Sequence, residues 1–354
     1  MPSDEVLGKT KPFVDYQNDA TAKDIKLALR EGFRSIEHVK RYTTTGMGTD
    51  QGKLGNMHAL GIIAETAGVK MGELGTTTFR PPYTPLTFGT IVGRNVGEYF
   101  DTFRRTPMND WHIKNKAEFE NVGQWKRAWY YPKNNETMHD AVQRESKAAR
   151  NSSGILDAST LGKIDIQGTD ASEFLNRVYT NAWSKLAIGK CRYGLMLNED
   201  GMVYDDGVTT RLDENHYIMT TTTGGAANVL GKLEDYLQTE WPELDVYLSS
   251  VTDHYATASI CGPNSKKILN KLIPDLDLSD ESFPHMSFKN TKINNIKCRI
   301  MRISFTGEHS YEINIQANYG EDLWKKCMEA GEEFNITPYG TETMHLLRAE
   351  KGFI

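Results

Sequence analysis

Cysteine is scarce in this chain, with four residues in 354 and no CxxC pair among Cys191, Cys261, Cys298 and Cys327. Such wide spacing excludes a disulfide-rich scaffold and predicts buried free thiols in a reducing compartment. The nine histidines form neither HxH nor HExxH. The sequence therefore predicts no metal site.

Long apolar runs and an excess of basic residues are missing as well. No run approaches the ~18 residues that a membrane helix needs. The chain has 41 Lys and Arg against 47 Asp and Glu, a net charge of -6, which argues against nucleic acid as a partner. The first twenty residues lack an apolar segment of the kind found in secretory signals, so we expect a cytoplasmic protein that contacts no membrane.

The length and the prolines indicate how the chain is divided. At roughly 150 residues per domain, 354 residues predict two to three domains. Pro81, Pro82 and Pro85 favour a stiff, extended connector. We predict a first segment at residues 1–75, a linker at 76–98 and a larger domain at 99–354.

An internal repeat is the most informative pattern. Residues 166–177 and 260–271 align without a gap at an offset of 94 residues. Each reads as a strand, a glycine turn, a cap residue and an amphipathic helix, and each is followed by strands joined by tight turns. This order predicts an α+β fold of two related halves, each an antiparallel sheet with helices.

Each half places acidic residues on a strand near a turn. Asp205 and Asp206 are adjacent, so they point to opposite faces of their strand, and the pattern does not decide which one faces a cavity. Glu312 lies between the apolar residues Tyr311 and Ile313, where a carboxylate either faces water or has a specific partner. A solvated edge or a turn acceptor remains an alternative for the aspartates.

Several segments resemble known families. Residues 154–168, 197–206, 306–312 and 347–350 resemble the folate-binding domain of glycine-cleavage T-proteins. Nearly the whole chain resembles the alpha subunits of heterotetrameric sarcosine oxidases. The segments that carry this resemblance are residues 13–19, 31–47, 49–53, 79–85, 179–183, 236–242 and 338–345. The resemblance implies a T-protein-like folate-binding domain that follows the tail of an α/β dinucleotide-binding domain. It also implies a fragment that lacks upstream parts and a final C-terminal barrel domain.

The resemblance implies roles for individual residues. Glu312 corresponds to the residue that binds the pterin, and Asp206 to the essential aspartate, with Asp205 as the alternative. Tyr193 and Phe305 would lie along the pterin, although plain core packing explains them too, and Arg348 would contact folate. In a full-length subunit, the far wall of an NAD site would include Thr45, Gly46, Thr49 and Asp50.

The function implied by the resemblance is transfer of the one-carbon unit of oxidised sarcosine to tetrahydrofolate, which gives glycine and 5,10-methylenetetrahydrofolate. Flavin (FMN or FAD) and NAD would act only in the intact complex with beta, gamma and delta subunits. T-proteins carry Ala-Arg-Asp where this chain has Thr343-Met344-His345, and this departure favours the oxidase over the alternative of a stand-alone aminomethyltransferase. A catalytically silent folate-binding module is a third possibility.

Overall fold

A computed structural model describes residues 9–94, 96–97 and 102–353 of the chain. The backbone divides into two units, residues 1–101 and residues 102–354. The boundary predicted between residues 98 and 99 lies outside the described residues.

The first unit is built mainly of helices. Strands β1 (Phe13–Asp15) and β2 (Ala20–Thr21) pair antiparallel and are followed by helices α1 (Ala22–Arg30), α2 (Ile36–Thr43), α3 (Asn56–Ala67) and α4 (Phe88–Val92). Helix α1 begins at a capping box, in which the side chains of Thr21 and Asp24 each bind the other's backbone N–H. Its apolar stripe, Ile25 and Leu29, packs against α2 and α3.

The second unit begins with elements that lead into the sheets. They are helix α5 (Asn109–Lys114), the hairpin of β3 (Glu118–Val122) and β4 (Trp125–Tyr130), helix α6 (Met138–Asn151) and strand β5 (Gly154–Asp157). Helix α6 starts at a second capping box, formed by Thr137 and Asp140.

The first half of the repeat forms a five-stranded sheet. Its elements are β6 (Gly162–Gln167), α7 (Ala171–Val178), β7 (Cys191–Leu197), β8 (Val203–Asp213), β9 (His216–Thr221), α8 (Ala226–Asp235) and β10 (Tyr247–Ser250). The strand order is β10-β6-β9-β8-β7, and all neighbours are antiparallel.

The second half forms a six-stranded sheet. Its elements are β11 (Tyr255–Cys261), α9 (Ser265–Leu272), β12 (Ser287–Ile293), β13 (Ile296–Arg302), β14 (Ser310–Gln316), α10 (Gly320–Gly331) and β15 (Thr337–Pro338), with α11 (Thr341–Glu350) after them. The order is β12-β13-β14-β11-β5-β15, and only β15 runs parallel to its neighbour. The predicted α+β fold with two antiparallel halves is confirmed.

The strand that precedes each half of the repeat pairs with the sheet of the other half. β5 precedes β6 of the first half but pairs with β11 of the second sheet, whereas β10 precedes β11 of the second half but pairs with β6 of the first sheet. Each sheet therefore contains one strand that belongs, by its place in the sequence, to the other half of the repeat. Both sheets belong to the same compact unit, residues 102–354.

The glycine turns of the repeat are confirmed, but the capping role is not. Gly168 and Gly262 have φ of 138° and 108°, and a Cβ would lie 2.0 Å from the Asp245 carbonyl oxygen and 2.6 Å from that of Ala149. Only glycine fits both turns. Asp170 and Asn264 occupy the cap positions, yet neither side chain caps its helix. Asp170 instead accepts a hydrogen bond from the backbone of the 245 loop.

Three apolar layers hold the second unit together. One face of the first sheet packs on α7 and α8, and one face of the second sheet packs on α9 and α10. Between the sheets lies a small cluster of Cys191, Ile218, Met301 and Ile303. All four cysteines are buried and free, as predicted.

Within the described part of the chain, no helix has both the length and the apolar character to cross a membrane. Over the same residues, no three side chains of the His, Cys, Asp or Glu type come together to hold a metal ion.

Candidate functional site

The pairing of β7 with β8 separates the two adjacent aspartates. Asp206 of β8 lies opposite Leu195 of β7. Because alternate residues of a strand point to the same face, Asp206 shares its face of the sheet with Tyr193 and with the inter-sheet residue Cys191. Asp205 lies opposite Met196, whose side chain belongs to the outer core of the first sheet. Asp206 therefore faces the second sheet, and Asp205 faces away from it.

Asp205 is occupied by internal hydrogen bonds. Its carboxylate is 5% exposed and accepts from the Thr222 hydroxyl at 2.6 Å and the Thr222 backbone N–H at 3.2 Å. Burial raises its pKa, an effect that the Thr222 hydrogen bonds partly offset and the charge of Asp206 reinforces. Asp205 thus holds the turn between β9 and α8.

Asp206 and Tyr193 form a pair on the inter-sheet face. The Tyr193 hydroxyl donates to Asp206 Oδ2 at 2.8 Å. Partial burial raises the pKa of Tyr193, as do the hydrogen bond to Asp206 and its charge, whereas the positive charge of Arg348 acts in the opposite direction. Arg348 of α11 therefore lies within electrostatic reach of this pair.

Glu312 is a buried carboxylate on the inner face of the second sheet. Its neighbours Tyr311 and Ile313 point into the core, so Glu312 points the opposite way, beside Ser259 of β11 and Met301 of β13. It is 9% exposed, and no described residue makes a hydrogen bond or ion pair with its carboxylate. Burial raises its pKa to about 7, and the charge of Lys163 opposes that rise.

Lys163 of β6 supplies the positive charge that acts on Glu312. Its ammonium donates to the carbonyl oxygens of Ser159 at 3.2 Å and Leu161 at 3.0 Å, and the residue is 2% exposed. Burial lowers the pKa of Lys163 to about 8, and the negative charge of Glu312 opposes this shift. No role was predicted for Lys163 from the sequence, although a lysine within the strand pattern Gly162–Gln167 was a visible signal.

Arg150 connects the segments that carry Phe305 and Arg348. Its guanidinium donates to the Thr306 carbonyl and to Glu308 Oε1, both at 2.7 Å. On α11 it donates to the Leu347 carbonyl at 2.7 Å and to Glu350 Oε2 at 3.0 Å. Residues 306–312 and 347–350, two of the segments that resemble T-proteins, thus both bind Arg150. No role was predicted for this arginine from the sequence.

The predicted folate residues are only partly brought together. Tyr193 contacts Asp206, and Arg348 acts on Tyr193 through its charge. Phe305 is 41% exposed in the turn between β13 and β14, and no described contact links it or Glu312 directly to the Tyr193–Asp206 pair.

Arg127 of β4 is a residue for which the sequence predicted no role. Met344 of α11 lies away from solvent. Arg127 is 8% exposed, and its Nε has no hydrogen-bond partner. Burial lowers the pKa of His345, and the charges of Arg127 and Arg348 lower it further. Met344 packs with Leu347 and Tyr339.

In the first unit, most polar groups of the four residues suggested for NAD already have partners. The Gly46 N–H donates to Asp15, Thr49 bonds to Gln17, and Asp50 accepts from the loop that precedes α3. The hydroxyl of Thr45 is buried without a partner.

Comparison with known proteins relates both units to one enzyme. A family model described as the Sarcosine oxidase A3 domain matches residues 9–94. Sarcosine oxidase subunit alpha of Corynebacterium sp. (strain P-1) is 54% identical over 100% of this chain, and that of Rhizobium meliloti (strain 1021) is 49% identical over 98%. The chain spans 37% and 35% of these relatives, about a third of their length.

The second unit has a wider set of relatives. The aminomethyltransferase of Thermoanaerobacter sp. (strain X514) is 30% identical over 71% of this chain and 65% of the relative. The crystal structure of glycine cleavage system aminomethyltransferase T from Bartonella henselae has the same fold, with a TM-score of 0.60 at 23% identity over 72% of this chain and 64% of the other. The model of the GCVT N-terminal domain matches residues 108–354, more than two thirds of the sequence. The chain belongs to the GCVT N-terminal domain family.

Proposed function

We propose that this chain is the folate-dependent part of a sarcosine oxidase alpha subunit. In this role it transfers the one-carbon unit of oxidised sarcosine to tetrahydrofolate, and the products are glycine and 5,10-methylenetetrahydrofolate. The observation that carries the proposal is Glu312, a buried carboxylate on the inner face of the second sheet that has no partner among the described residues.

Similarity over the whole chain favours the oxidase over a stand-alone aminomethyltransferase. The alpha subunits match the first unit as well as the second, whereas the aminomethyltransferase similarity extends over 71% of the chain. The name "subunit alpha" of the relatives supports an assembly with other subunits, for which the proposal takes beta, gamma and delta. Flavin and NAD would belong to that assembly, and four buried free thiols fit a cytoplasmic location.

The residues of the second unit fit a reduced pteridine. A pteridine offers two parallel donors, N3–H and the 2-amino group, which one carboxylate accepts in a bidentate manner. Glu312 has both oxygens available for them, because no described residue binds its carboxylate. An unpaired carboxylate is costly to bury, so its presence is best explained by a ligand that supplies the donors.

Asp206 and Tyr193 fit the proton transfer that the reaction requires. Tetrahydrofolate supplies the nucleophilic amine, and that nitrogen must lose a proton as the new C–N bond forms. Asp206 accepts this proton, and its negative charge stabilises developing positive charge nearby. Tyr193 orients the carboxylate through Oδ2 and leaves Oδ1 as the acceptor. The positive charge of Arg348 acts on Tyr193.

Titration of the 354-residue chain with folinic acid, followed by isothermal calorimetry, tests the proposal. We expect binding by the wild type and loss of binding in Glu312→Ala, because the pteridine donors lose their acceptor. Glu173→Ala is the control, since Glu173 lies on α7 and pairs with Arg177. Unchanged affinity in Glu312→Ala would contradict the assignment.

A second measurement separates an enzyme from a silent module. The chain is combined with flavin-bearing partner subunits and sarcosine, and 5,10-methylenetetrahydrofolate is quantified. Product that depends on Asp206 supports the transfer reaction. Folinic acid binding without any product would reduce the proposal to a folate-binding module.

A further inference from the structure

Arg127 is a buried cation that has no counter-ion among the residues the structure describes. It lies on β4, is 8% exposed, and makes no hydrogen bond or ion pair through its guanidinium with any described residue. A buried guanidinium normally has acceptors for its donors, because removing the charge from water is costly. The guanidinium therefore calls for an anionic acceptor that no described residue supplies.

The nearest acidic side chains are already bound to other donors. The charges of Glu120 and Asp157 act on Arg127 without forming an ion pair. Glu120 accepts from the Thr341 hydroxyl at 2.5 Å, and Asp157 pairs with His112 at 3.0 Å. Neither carboxylate makes a hydrogen bond or an ion pair with the guanidinium of Arg127.

Arg348, on the helix that packs on β4, is a second arginine whose side chain has no partner in the described part of the chain. Arg348 has a buried Nε without an acceptor, and its side chain makes no described hydrogen bond. His345 precedes it by one helical turn on α11, which packs against β4. Both arginine charges act on His345, and that of Arg348 also acts on Tyr193. The packing of α11 on β4 thus places Arg348 and His345 on the helix next to the strand that carries Arg127.

We propose that Arg127, with Arg348 and His345, forms a binding site for a carboxylate group. Resting on the proposed function, this inference names two sources of that carboxylate: the glutamate tail of the folate or the amino-acid moiety of the substrate. An arginine fork matches a carboxylate through two parallel hydrogen bonds. Arg127 is a specificity residue, because it recognises a part of the ligand that does not react.

Calorimetric titration of Arg127→Met with two ligands tests the site in the full chain. The ligands are folinic acid, which has a glutamate tail, and 6-methyltetrahydropterin, which has the ring alone. For a tail site, we expect folinic acid to bind roughly 10- to 100-fold more weakly, the scale of lost charge-assisted hydrogen bonds, and the pterin to bind as in the wild type. Arg127→Lys should lose less affinity than Arg127→Met, because it keeps the charge.

A third titration, with sarcosine, distinguishes the second source. A loss of sarcosine affinity in Arg127→Met with unchanged folinic acid affinity would assign the carboxylate to the amino acid. Unchanged affinity for both ligands would overturn the proposal. An equal loss for folinic acid and the pterin would overturn it as well, because the ring carries no carboxylate.

Arg302 provides a matched control for stability. It is 9% exposed, like Arg127, but its guanidinium binds Asp280 at 2.7 Å and the Phe283 carbonyl at 2.6 Å. Arg302→Met should lower the melting temperature and leave folinic acid affinity unchanged. Arg127→Met should melt at the wild-type temperature or above it, because no internal partner is lost. A drop as large as that of Arg302→Met would make Arg127 a structural residue and overturn the site.

Glu312→Ala separates this inference from the proposed function. If the wild type binds 6-methyltetrahydropterin and Glu312→Ala does not, the pteridine assignment stands whatever Arg127→Met does. If Glu312→Ala binds the pterin normally, the proposed function fails, and the sarcosine titration alone decides the carboxylate site.

Discussion

The hydroxyl of Tyr193 lies 2.8 Å from Asp206 Oδ2 and donates a hydrogen bond to it. The pair connects β7 and β8 on the face that is turned to the second sheet. No other described residue donates to the Asp206 carboxylate, so one oxygen remains available to a ligand. This is the arrangement expected of a general base with an orienting partner.

Asp206→Asn should keep folinic acid binding but lower the rate of one-carbon transfer by roughly 10²-fold or more, because the amide accepts no proton at neutral pH. Tyr193→Phe should lower it by less, since the base remains and only its orientation is lost. Formation of methylenetetrahydrofolate with the partner subunits measures both effects. Wild-type turnover in Asp206→Asn would remove the proton-transfer role.

Asp205→Ala should affect stability and leave the chemistry intact. Its carboxylate binds the Thr222 hydroxyl and N–H, so its removal leaves two donors without an acceptor and costs about 1–3 kcal/mol of unfolding free energy. Urea unfolding and the transfer assay, run side by side with Asp206→Asn, check this. An Asp205→Ala variant of normal stability that transfers no one-carbon unit would reverse the roles of the two aspartates.

Glu312 should make the stability of the ligand-free chain fall as pH rises. Burial raises its pKa to about 7, from 4.5, so between these pH values the folded chain holds a proton that the unfolded chain releases. Stability is thus lost between about pH 4.5 and pH 7. Glu312→Gln should be more stable than the wild type at pH 8 by about 1–3 kcal/mol and should match it below pH 4.5.

Thermal unfolding between pH 4.5 and pH 8 measures this effect, and Glu145→Gln is the matched control. Glu145 is also a buried carboxylate, but it accepts from Tyr131 N, Gly340 N and the Thr343 hydroxyl. Its replacement should destabilise the chain at pH 8. A Glu312→Gln variant that is less stable than the wild type at pH 8 would mean that the carboxylate has a structural partner.

Arg150→Met should weaken folinic acid binding, because it removes four hydrogen bonds to the segments that carry Phe305 and Arg348. Without these bonds, the two residues are no longer held in place. Arg144→Met is the control on the same helix, since Arg144 pairs with Glu136 and the Tyr131 carbonyl. We expect both variants to lose stability, but only Arg150→Met to lose affinity, by about tenfold. Equal affinities in the two variants would make Arg150 a purely structural residue.

The sequence was informative where the determinants are local. The repeat was visible because each copy is a contiguous strand, glycine turn and helix, and the conformations at Gly168 and Gly262 depend on a few neighbouring residues. The antiparallel character of both sheets followed from strands joined by tight turns. The exchange of β5 and β10 left no such pattern, because it joins segments far apart in the chain.

The sequence by itself determined the α+β class, the two related halves, the set of candidate acids and the resemblance to T-proteins and sarcosine oxidases. Only the tertiary structure decided which of Asp205 and Asp206 faces the second sheet, because that depends on the register of β7 against β8. It alone also revealed Lys163 and Arg127, whose importance comes from burial and not from any motif. A charged residue acquires an unusual role when packing removes water and leaves it without a partner, and packing brings together residues that are distant in sequence.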